Sequence, residues 1–154
     1  MKLPHVVSSD PILTVHLTLI HPDARIPQYE SDDAAAFDLT SVADVTVEPG
    51  RVALVPTGLV IQVPVRMFLG IFARSSTPVK RGLMVANGVG VIDPDYCGPE
   101  DEVKIAVMNF TDAPVIVKAG DRIAQGIFLE APRVRWAEGA PREQSRGGFG
   151  ATGD

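Results

Sequence analysis

The chain contains few cysteines and histidines, the residues that supply sulfur and nitrogen ligands or nucleophiles in many enzyme sites. Its single cysteine, Cys97, excludes an intrachain disulfide and a cysteine-rich metal site, and we interpret it as a small packing residue. The three histidines, His5, His16 and His21, all lie near the start, which leaves little material for a His-based triad or a zinc site. A metal, where one is used, should therefore be a hard cation with oxygen ligands.

Long apolar runs and an excess of positive charge are also missing. No run reaches membrane-spanning length, and the first residues contain Pro, His and Asp where a secretory signal needs an unbroken apolar core. We therefore expect a cytoplasmic protein without a membrane partner. The formal net charge of -5 disfavours nucleic acid as a partner. A phosphorylated small molecule stays possible, because it needs only a few Arg, Lys and backbone N–H groups.

What the chain does contain is typical of an all-β domain. Its 154 residues fit one domain, and 14 Gly and 13 Pro suit many short strands and turns. No window keeps a 3.6-residue apolar period over three turns, so helix should be scarce. Short runs with strand character favour a β-sandwich or barrel. They cover residues 14–20, 45–47, 51–55, 59–63, 68–73, 103–109, 115–117 and 122–129.

The two ends differ from the middle. Residues 1–11 look like a loose leader, and residues 137–154 are polar and glycine-rich with one aromatic, Phe149. Such a tail cannot bury enough apolar surface to order itself. We expect a folded domain over residues 1–136 and a flexible arm over 137–154. Gly148, Gly150 and Gly153 match the G-x-G-x-x-G spacing, but no strand–helix unit surrounds them, so a Rossmann site is rejected.

Residues 82–98, GLMVANGVGVIDPDYCG, form the most informative segment. Asn87-Gly88 between two apolar runs predicts a β-hairpin with a type I′ turn. Gly90 indicates that something approaches the backbone closely, and Asp93, Asp95 and Tyr96 follow. Backbone donors and acceptors beside glycine suit a flat, uncharged ring. An ordinary tight turn with two turn carboxylates is the alternative reading of this segment alone.

Four further segments accompany it in the chain. Asp38 stands between apolar residues at 35–39, Arg74-Ser75-Ser76 opens a predicted loop, residues 120–125 read GDRIAQ, and the glycine-rich tail comes last. These five segments, in this order across residues 35–153, resemble the five motifs of the trimeric dUTPase family.

The resemblance implies a β jelly roll that forms a homotrimer with an exchanged C-terminal arm. It also implies three active sites, each built from the hairpin of one subunit, the phosphate loops of a second and the arm of a third. The implied reaction is hydrolysis of dUTP to dUMP and pyrophosphate, by attack of water at the α-phosphorus with Mg²⁺ as cofactor. That reaction limits uracil incorporation into DNA and supplies dUMP for dTTP synthesis.

Roles at the nucleoside end follow from position in the third motif. Asp93 resembles the carboxylate that orients and deprotonates the attacking water, a contribution of typically ~10²–10⁴-fold for a positioned base. Tyr96 resembles the ring that packs under the sugar and leaves no room for a 2′-hydroxyl. Asn87 and the backbone near Gly90 would read the uracil edge.

Roles at the phosphate end follow from the other motifs. Arg74, Ser75, Ser76 and Gln125 would hold the triphosphate. Asp38 would support Mg²⁺ through bound water, with the phosphates themselves as ligands.

The arm would close over the bound nucleotide. Phe149 would stack on the uracil, while Arg146, Gly150 and Thr152 would close on the phosphates. Arg146 stands closer to Phe149 than the family pattern has it, so Arg142 is the alternative phosphate ligand.

Other departures concern the body of the protein. Ala36 and Ser76 each replace a usual Gly, and Ala151 replaces a usual Ser. Residues 99–102, PEDE, look like an acidic insertion that should bulge the loop after the third motif. Asp95 and Asp121 are interpreted as structural, with Asp121 stabilising its turn.

Two alternative functions remain open from the residues. A dCTP deaminase shares the fold, but that family uses a Glu just before an Asn on the strand after the hairpin, and residues 103–109 contain no Glu. A non-catalytic trimeric β protein that binds a ligand is the other alternative. The presence of Asp93 and of the arm disfavours it.

Overall fold

The computed structural model describes residues 13–143 and 145. Within them the chain forms eleven β-strands and one short helix. The elements are, in chain order, β1 (Leu17–Leu19), β2 (Phe37–Thr40), β3 (Val45–Val47), β4 (Val52–Pro56), β5 (Leu59–Ile61), β6 (Met67–Ala73), α1 (Ser76–Arg81), β7 (Leu83–Val85), β8 (Gly90–Ile92), β9 (Lys104–Asn109), β10 (Val115–Val117) and β11 (Arg122–Glu130).

The strands form a jelly roll of short antiparallel sheets. The main sheet has the order β2-β11-β6-β8, and a second sheet has the order β4-β9-β7. Two strand pairs, β1-β5 and β3-β10, complete the structure. No helix in the described residues is long and apolar enough to cross a membrane. The all-β jelly-roll prediction is therefore confirmed.

The core lies between the main and second sheets, and strand alternation explains its composition. In β9, Ile105, Val107 and Asn109 are buried while the residues between them are less so. Leu69 and Ile71 face the same core from β6. Buried Asn109 is satisfied, because its Nδ2 donates to the carbonyl oxygens of Val47 and Ala113, each at 2.8 Å.

The strand β11 is central because it pairs on both sides. Its Gly126 allows the ring of Phe37 to lie against the backbone, since a Cβ at this position would fall 2.5 Å from Phe37 Cε2. The strand therefore brings together β2 and β6, which are distant in sequence.

The predicted hairpin at residues 82–98 is wrong. Strand β7 pairs with β9, and β8 pairs with β6, so the Asn87-Gly88 turn passes the chain from one sheet to the other. A type I′ turn needs positive φ at both central residues. Only Gly88 has one here, at 73°, and its N–H donates to the Val85 carbonyl at 3.0 Å. The glycine-lined segment exists, but as a connection between sheets.

The loop predicted after Arg74 is also wrong, because it contains the helix α1. Pro78 lies in the first turn of this helix, where its missing N–H removes no helical hydrogen bond. Gly82 ends the helix in the left-handed conformation with φ of 65°, and its N–H donates to the Pro78 carbonyl.

Candidate active site

The candidate phosphate-binding residues gather around the central strand β11. Gln125 on β11 lies directly opposite Asp38 on β2 in the antiparallel register. On the other side, its Nε2 donates to the Ala73 carbonyl of β6 at 3.0 Å. Because Arg74 follows Ala73, the sheet places residues from three predicted motifs on one surface.

Asp38 is the centre of an ion-pair cluster on this surface. Its Oδ1 lies 2.8 Å from Arg74 Nε, and its Oδ2 lies 3.0 Å from Arg122 Nη1. Its side chain is only 12% exposed, so both oxygens need such partners. Arg122 Nη1 also lies 2.8 Å from Glu30 Oε1, and Arg74 Nη1 donates to the Arg122 carbonyl at 3.1 Å. The positive charges of the two guanidinium groups and the negative charges of the two carboxylates in this cluster are therefore equal in number.

The pKa of Arg122 is raised by this arrangement. The hydrogen bond to Glu30 is the largest cause, and the charges of Glu30 and Asp38 add to it. Since an arginine is charged at any relevant pH, the effect is to keep the side chain in place rather than to change its protonation.

Two side chains fix the helix α1 against the start of β11. The buried Thr77 hydroxyl donates to the Ile123 carbonyl at 2.8 Å. Arg81 Nη1 lies 2.6 Å from Asp121 Oδ2, which also accepts the Lys118 N–H at 2.9 Å. The hydrogen bond from Arg81 is the main reason that the pKa of Asp121 is lowered and that of Arg81 raised. Asp121 thus has the turn-stabilising role expected for it, with Arg81 as its partner.

The serines at the start of α1 lie beside this framework. Ser75 is exposed and occupies the N-cap position with helical φ and ψ. Its side chain makes no capping hydrogen bond, and Ser76 is half-buried. The Ser75 hydroxyl therefore keeps its hydrogen-bonding capacity for a ligand.

The candidate nucleoside-binding residues lie along and after β8. Gly90 is buried, and a Cβ there would lie 3.0 Å from the Ile71 Cβ, so a side chain would press on β6. Asn87 is exposed in the preceding turn, where its carbonyl accepts the Val89 N–H at 2.8 Å. Asp93 follows β8 and is exposed. Among the described residues its carboxylate has no ion-pair or hydrogen-bond partner.

Tyr96 is held within the loop that follows Asp93. Its N–H donates to the Asp93 carbonyl at 3.2 Å, and its hydroxyl donates to the Glu102 carbonyl at 3.1 Å. The residue as a whole is 39% exposed, so part of it is accessible to solvent.

Residues 99–102, the insertion expected to bulge the loop after the third motif, lie in a closed turn. The Gly98 N–H donates to Asp101 Oδ2 at 2.7 Å, and the Asp101 N–H donates back to the Gly98 carbonyl at 3.1 Å. Glu102 Oε1 accepts the Gly58 N–H at 2.8 Å. Glu102 was not among the expected site residues, and its position next to a buried strand was the only sequence signal for it.

Asp93 lies beside the start of β6 and Arg74 lies at its end, with Gly90 between them opposite Ile71. Arg74 follows the last residue of β6, whereas Ile92, the residue before Asp93, pairs with Leu69. Six strand positions separate the two ends, which corresponds to roughly 20 Å along the strands. Within one chain, Asp93 and Tyr96 are therefore not brought together with Arg74, Ser75 and Gln125.

The candidate arm residues Arg146, Phe149, Gly150 and Thr152 lie outside the described residues. Arg142 is described and exposed.

Two cavities flank the main sheet. A polar cavity of about 330 Å³ adjoins the ion-pair cluster and includes Arg25, Glu30 and Thr40 in its wall. An apolar groove of about 400 Å³ adjoins this cavity, with Ile26 and Pro27 in both walls, and contains none of the candidate residues. No group of three or more acidic, His or Cys side chains in the described residues could hold a metal ion by itself.

Fold and site together define a jelly-roll β protein with an arginine–carboxylate surface at one end of its main sheet and an exposed carboxylate beside a glycine-lined strand at the other. Residues 22–153 match the family model for dUTPase. The chain belongs to the dUTPase family.

Individual relatives agree with this assignment. The deoxyuridine 5'-triphosphate nucleotidohydrolase of Desulfitobacterium hafniense (strain DSM 10664 / DCB-2) is 43% identical over 137 residues, which cover 84% of this chain and 87% of the relative. The crystal structure of dUTPase from Streptococcus mutans superposes with a TM-score of 0.72 at 35% identity, covering 78% of this chain and 98% of that chain.

A more distant structure shares the fold. A mutant dUTPase from phage phi11 of S. aureus superposes with a TM-score of 0.72 at 21% identity, covering 82% of this chain and 98% of that one. That structure shows how the phage protein coordinates a structural Mg(II) ion.

Proposed function

We propose that the protein hydrolyses dUTP to dUMP and pyrophosphate, with water attacking the α-phosphorus, and so limits uracil incorporation into DNA while supplying dUMP for dTTP synthesis. The observation that carries this proposal is the placement of the family-motif residues. Asp38, Arg74 and Gln125 share one surface of the main sheet, and the exposed Asp93 follows the glycine-lined strand β8.

Asp93 is the proposed general base. Water is a poor nucleophile at neutral pH, and a carboxylate without another partner can accept its proton as the new P–O bond forms. The exposed position of Asp93 leaves its oxygens available for this contact. The Tyr96 N–H holds the Asp93 carbonyl, which fixes the backbone that carries the carboxylate.

Tyr96, Asn87 and Gly90 form the proposed nucleoside site. The Tyr96 ring packs against C2′ of the sugar and excludes a ribose hydroxyl. Backbone groups near Gly90, together with the Asn87 side chain, read the uracil edge. A backbone supplies both donors and acceptors there without loss of side-chain entropy.

Arg74, Ser75, Ser76 and Gln125 form the proposed triphosphate site. The guanidinium of Arg74 has five N–H donors, and its bonds to Asp38 and to the Arg122 carbonyl use two of them. The remaining donors can bind phosphate oxygens while the ion pair keeps the group oriented. The free hydroxyl of Ser75 lies beside it.

Mg²⁺ is the proposed cofactor, carried by the nucleotide. Both oxygens of Asp38 already accept from arginines, and the described residues contain no cluster of three potential ligands, so the protein does not fit a metal held by side chains alone. The chemistry fits an ion that takes phosphates and water as ligands, as Mg²⁺ prefers. When bound, the ion neutralises phosphate charge, and Asp38 can accept a hydrogen bond from its water.

A homotrimer with shared sites is the proposed assembly. The separation of roughly 20 Å between Asp93 and Arg74 along one ladder is longer than a base and its phosphate target can span. A second copy of the chain can supply the missing half of each site. Residues 1–136 would form the domain, and the arm at 137–154 would close a site on a neighbour through Phe149, Gly150, Thr152 and either Arg146 or Arg142.

The reaction can be tested with purified protein, dUTP and Mg²⁺ in ¹⁸O-labelled water. The label should appear in dUMP. Label in pyrophosphate, or orthophosphate as the first product, would contradict attack at the α-phosphorus. Asp93→Asn should keep nucleotide binding and lower kcat by at least ~10²-fold, the scale of a lost general base. Asp95→Asn is the matched control two residues away and should keep most of the activity.

Sharing of sites can be tested by mixing two inactive variants. Chains truncated after Ala137 and full-length Asp93→Asn chains are denatured together, refolded and assayed. Mixed trimers would contain sites with an intact Asp93 and a donated arm, so activity should partly return. Separately refolded variants combined without exchange are the control. Mixed trimers that form but stay inactive would show that the arm serves its own subunit or none.

A further inference from the structure

Glu102 connects two parts of the protein that the proposed mechanism leaves unconnected. Its carbonyl accepts the Tyr96 hydroxyl at 3.1 Å, and its side-chain Oε1 accepts the Gly58 N–H at 2.8 Å. The side chain is only 15% exposed, and its Oε2 lies 3.6 Å from Lys104 Nζ. One residue therefore holds the tyrosine with its backbone and the β4–β5 turn with its carboxylate.

The turn on the far side of this connection is rigid. Gly58 has φ of 67°, and a Cβ there would fall 2.8 Å from the Cβ atoms of Ala24 and His21. The neighbouring backbone is fixed in the same way, because the Thr57 hydroxyl donates to the Val103 carbonyl at 2.6 Å and the Val103 N–H donates to the Leu59 carbonyl at 2.8 Å. The Glu102 carboxylate therefore binds a part of the domain whose backbone is itself held in place.

The orientation of the Tyr96 ring depends on its contact with Glu102, because Tyr96 is exposed. A tyrosine ring rotates about χ1 and χ2, and a hydrogen bond at its far end is the contact that removes this freedom. Tyr96 as a residue is 39% exposed, and the Glu102 carbonyl is the acceptor that its hydroxyl reaches. A small rotation would open or close the space beside C2′ of a sugar.

We propose that Glu102 is a positioning residue for Tyr96 and thereby sets the preference for deoxyribose over ribose. The carboxylate bond to the Gly58 N–H acts together with the bond from the Val103 N–H to the Leu59 carbonyl to hold the Glu102–Val103 peptide, and the carbonyl of that peptide holds the ring. The inference rests on the proposed function, in which Tyr96 packs against the sugar.

The test compares kcat/KM for dUTP with kcat/KM for UTP in a small set of variants. Glu102→Ala should lower the dUTP/UTP ratio by about 10-fold, on the scale of one lost hydrogen bond to a charged group. Glu102→Gln should keep the ratio, since its amide oxygen still accepts the Gly58 N–H. Glu100→Ala is the matched control, because Glu100 is an exposed acidic residue of the same turn.

A double-mutant cycle tests the route through the ring. Tyr96→Phe keeps the ring but removes the hydroxyl donor, so it should lower the ratio as well. Glu102→Ala combined with Tyr96→Phe should be no worse than the single variants, because both break one connection. Effects on the ratio that multiply would show that the two residues act independently and would overturn the proposal.

Other outcomes are equally decisive. A Glu102→Ala variant with an unchanged ratio, or with equal losses on both nucleotides, would show a merely structural role. Should this variant fail to fold by circular dichroism, a normal ratio in Tyr96→Phe would overturn the proposal alone. If the unmodified protein does not hydrolyse dUTP, the proposed function fails and the inference fails with it. If the unmodified protein hydrolyses dUTP and Glu102→Ala leaves the dUTP/UTP ratio unchanged, the inference alone is refuted.

Discussion

The ion pair between Arg81 and Asp121 allows a quantitative test of what holds the helix α1 against the start of β11. Asp121 Oδ2 accepts both Arg81 Nη1 at 2.6 Å and the Lys118 N–H at 2.9 Å. Asp121→Asn removes the charge and the ion pair but keeps an oxygen for the Lys118 N–H. Asp121→Ala removes both contacts. The difference between the two variants isolates the turn hydrogen bond from the ion pair.

The expected magnitude follows from exposure. A hydrogen bond between charged groups contributes roughly 1.5–3 kcal/mol. The two side chains are 33% and 24% exposed, so solvent screening reduces the contribution to about 1–2 kcal/mol. For a chain of this length that lowers Tm by roughly 2–8 °C. Asp121→Ala should cost about 1 kcal/mol more, the typical worth of one further hydrogen bond.

The contribution of Asp121 to stability should change with pH in a defined direction. The pKa of Asp121 is lowered below 3.8, mainly by the hydrogen bond from Arg81. A carboxyl whose folded pKa is depressed stabilises the protein above its unfolded pKa, and this stabilisation is lost as pH falls through the folded pKa. The Tm difference between the unmodified protein and Asp121→Asn should therefore stay constant from pH 8 to about 5 and shrink below about pH 4.

Differential scanning calorimetry at one fixed protein concentration provides the measurement, since the proposed assembly would make Tm concentration-dependent. Asp44→Asn is the matched control, because Asp44 pairs with Lys118 on the same turn at 2.7 Å but both side chains are more than half exposed. It should change stability much less than Asp121→Asn does, because solvent screens an exposed ion pair. A Tm difference for Asp121→Asn that grows towards acid, or that equals the Asp44→Asn value, would refute the reasoning.

Two further predictions concern the strand β11. Thr77→Val should cost about 1–2 kcal/mol, because the Ile123 carbonyl loses its buried donor, and Thr77→Ser should retain most of the stability in the same urea titration. Gly126→Ala should cost about 1–3 kcal/mol through overpacking against Phe37. Gly139→Ala, where a Cβ would meet nothing within 4 Å, should leave the thermal transition unchanged, and equal effects of the two alanines would contradict the packing argument.

The sequence predicts most of the strands because their signals are local. Runs at residues 45–47 and 115–117 are bounded by turn residues, and the structure pairs them as β3 and β10 over the same residues. Alternation and β-branched side chains suffice for such elements. The absence of long helix was predictable for the same reason.

The pairing of strands depends on contacts between residues that are distant in sequence, and here the sequence pattern led to a wrong prediction. Asn87-Gly88 carries a strong hairpin signal, yet its flanking strands find better partners in β9 and β6. The helix α1 was not predicted, because six residues are too few to show a 3.6-residue apolar period. The site residues Asp38, Arg74 and Gln125 could be identified by motif. Their ion pairs, and the position of Glu102, depend on contacts across the fold that no spacing in the chain reveals.

The pairing of Asp38 with Arg74 means that the proposed phosphate ligand meets a cation that already has a partner. In the proposed reaction a phosphate oxygen shares a guanidinium that a carboxylate holds at 2.8 Å, so binding adds a second partner and does not capture a bare cation. The same carboxylate still holds the guanidinium when pyrophosphate departs. Arg74 is therefore oriented before the ligand arrives and stays oriented after the product leaves.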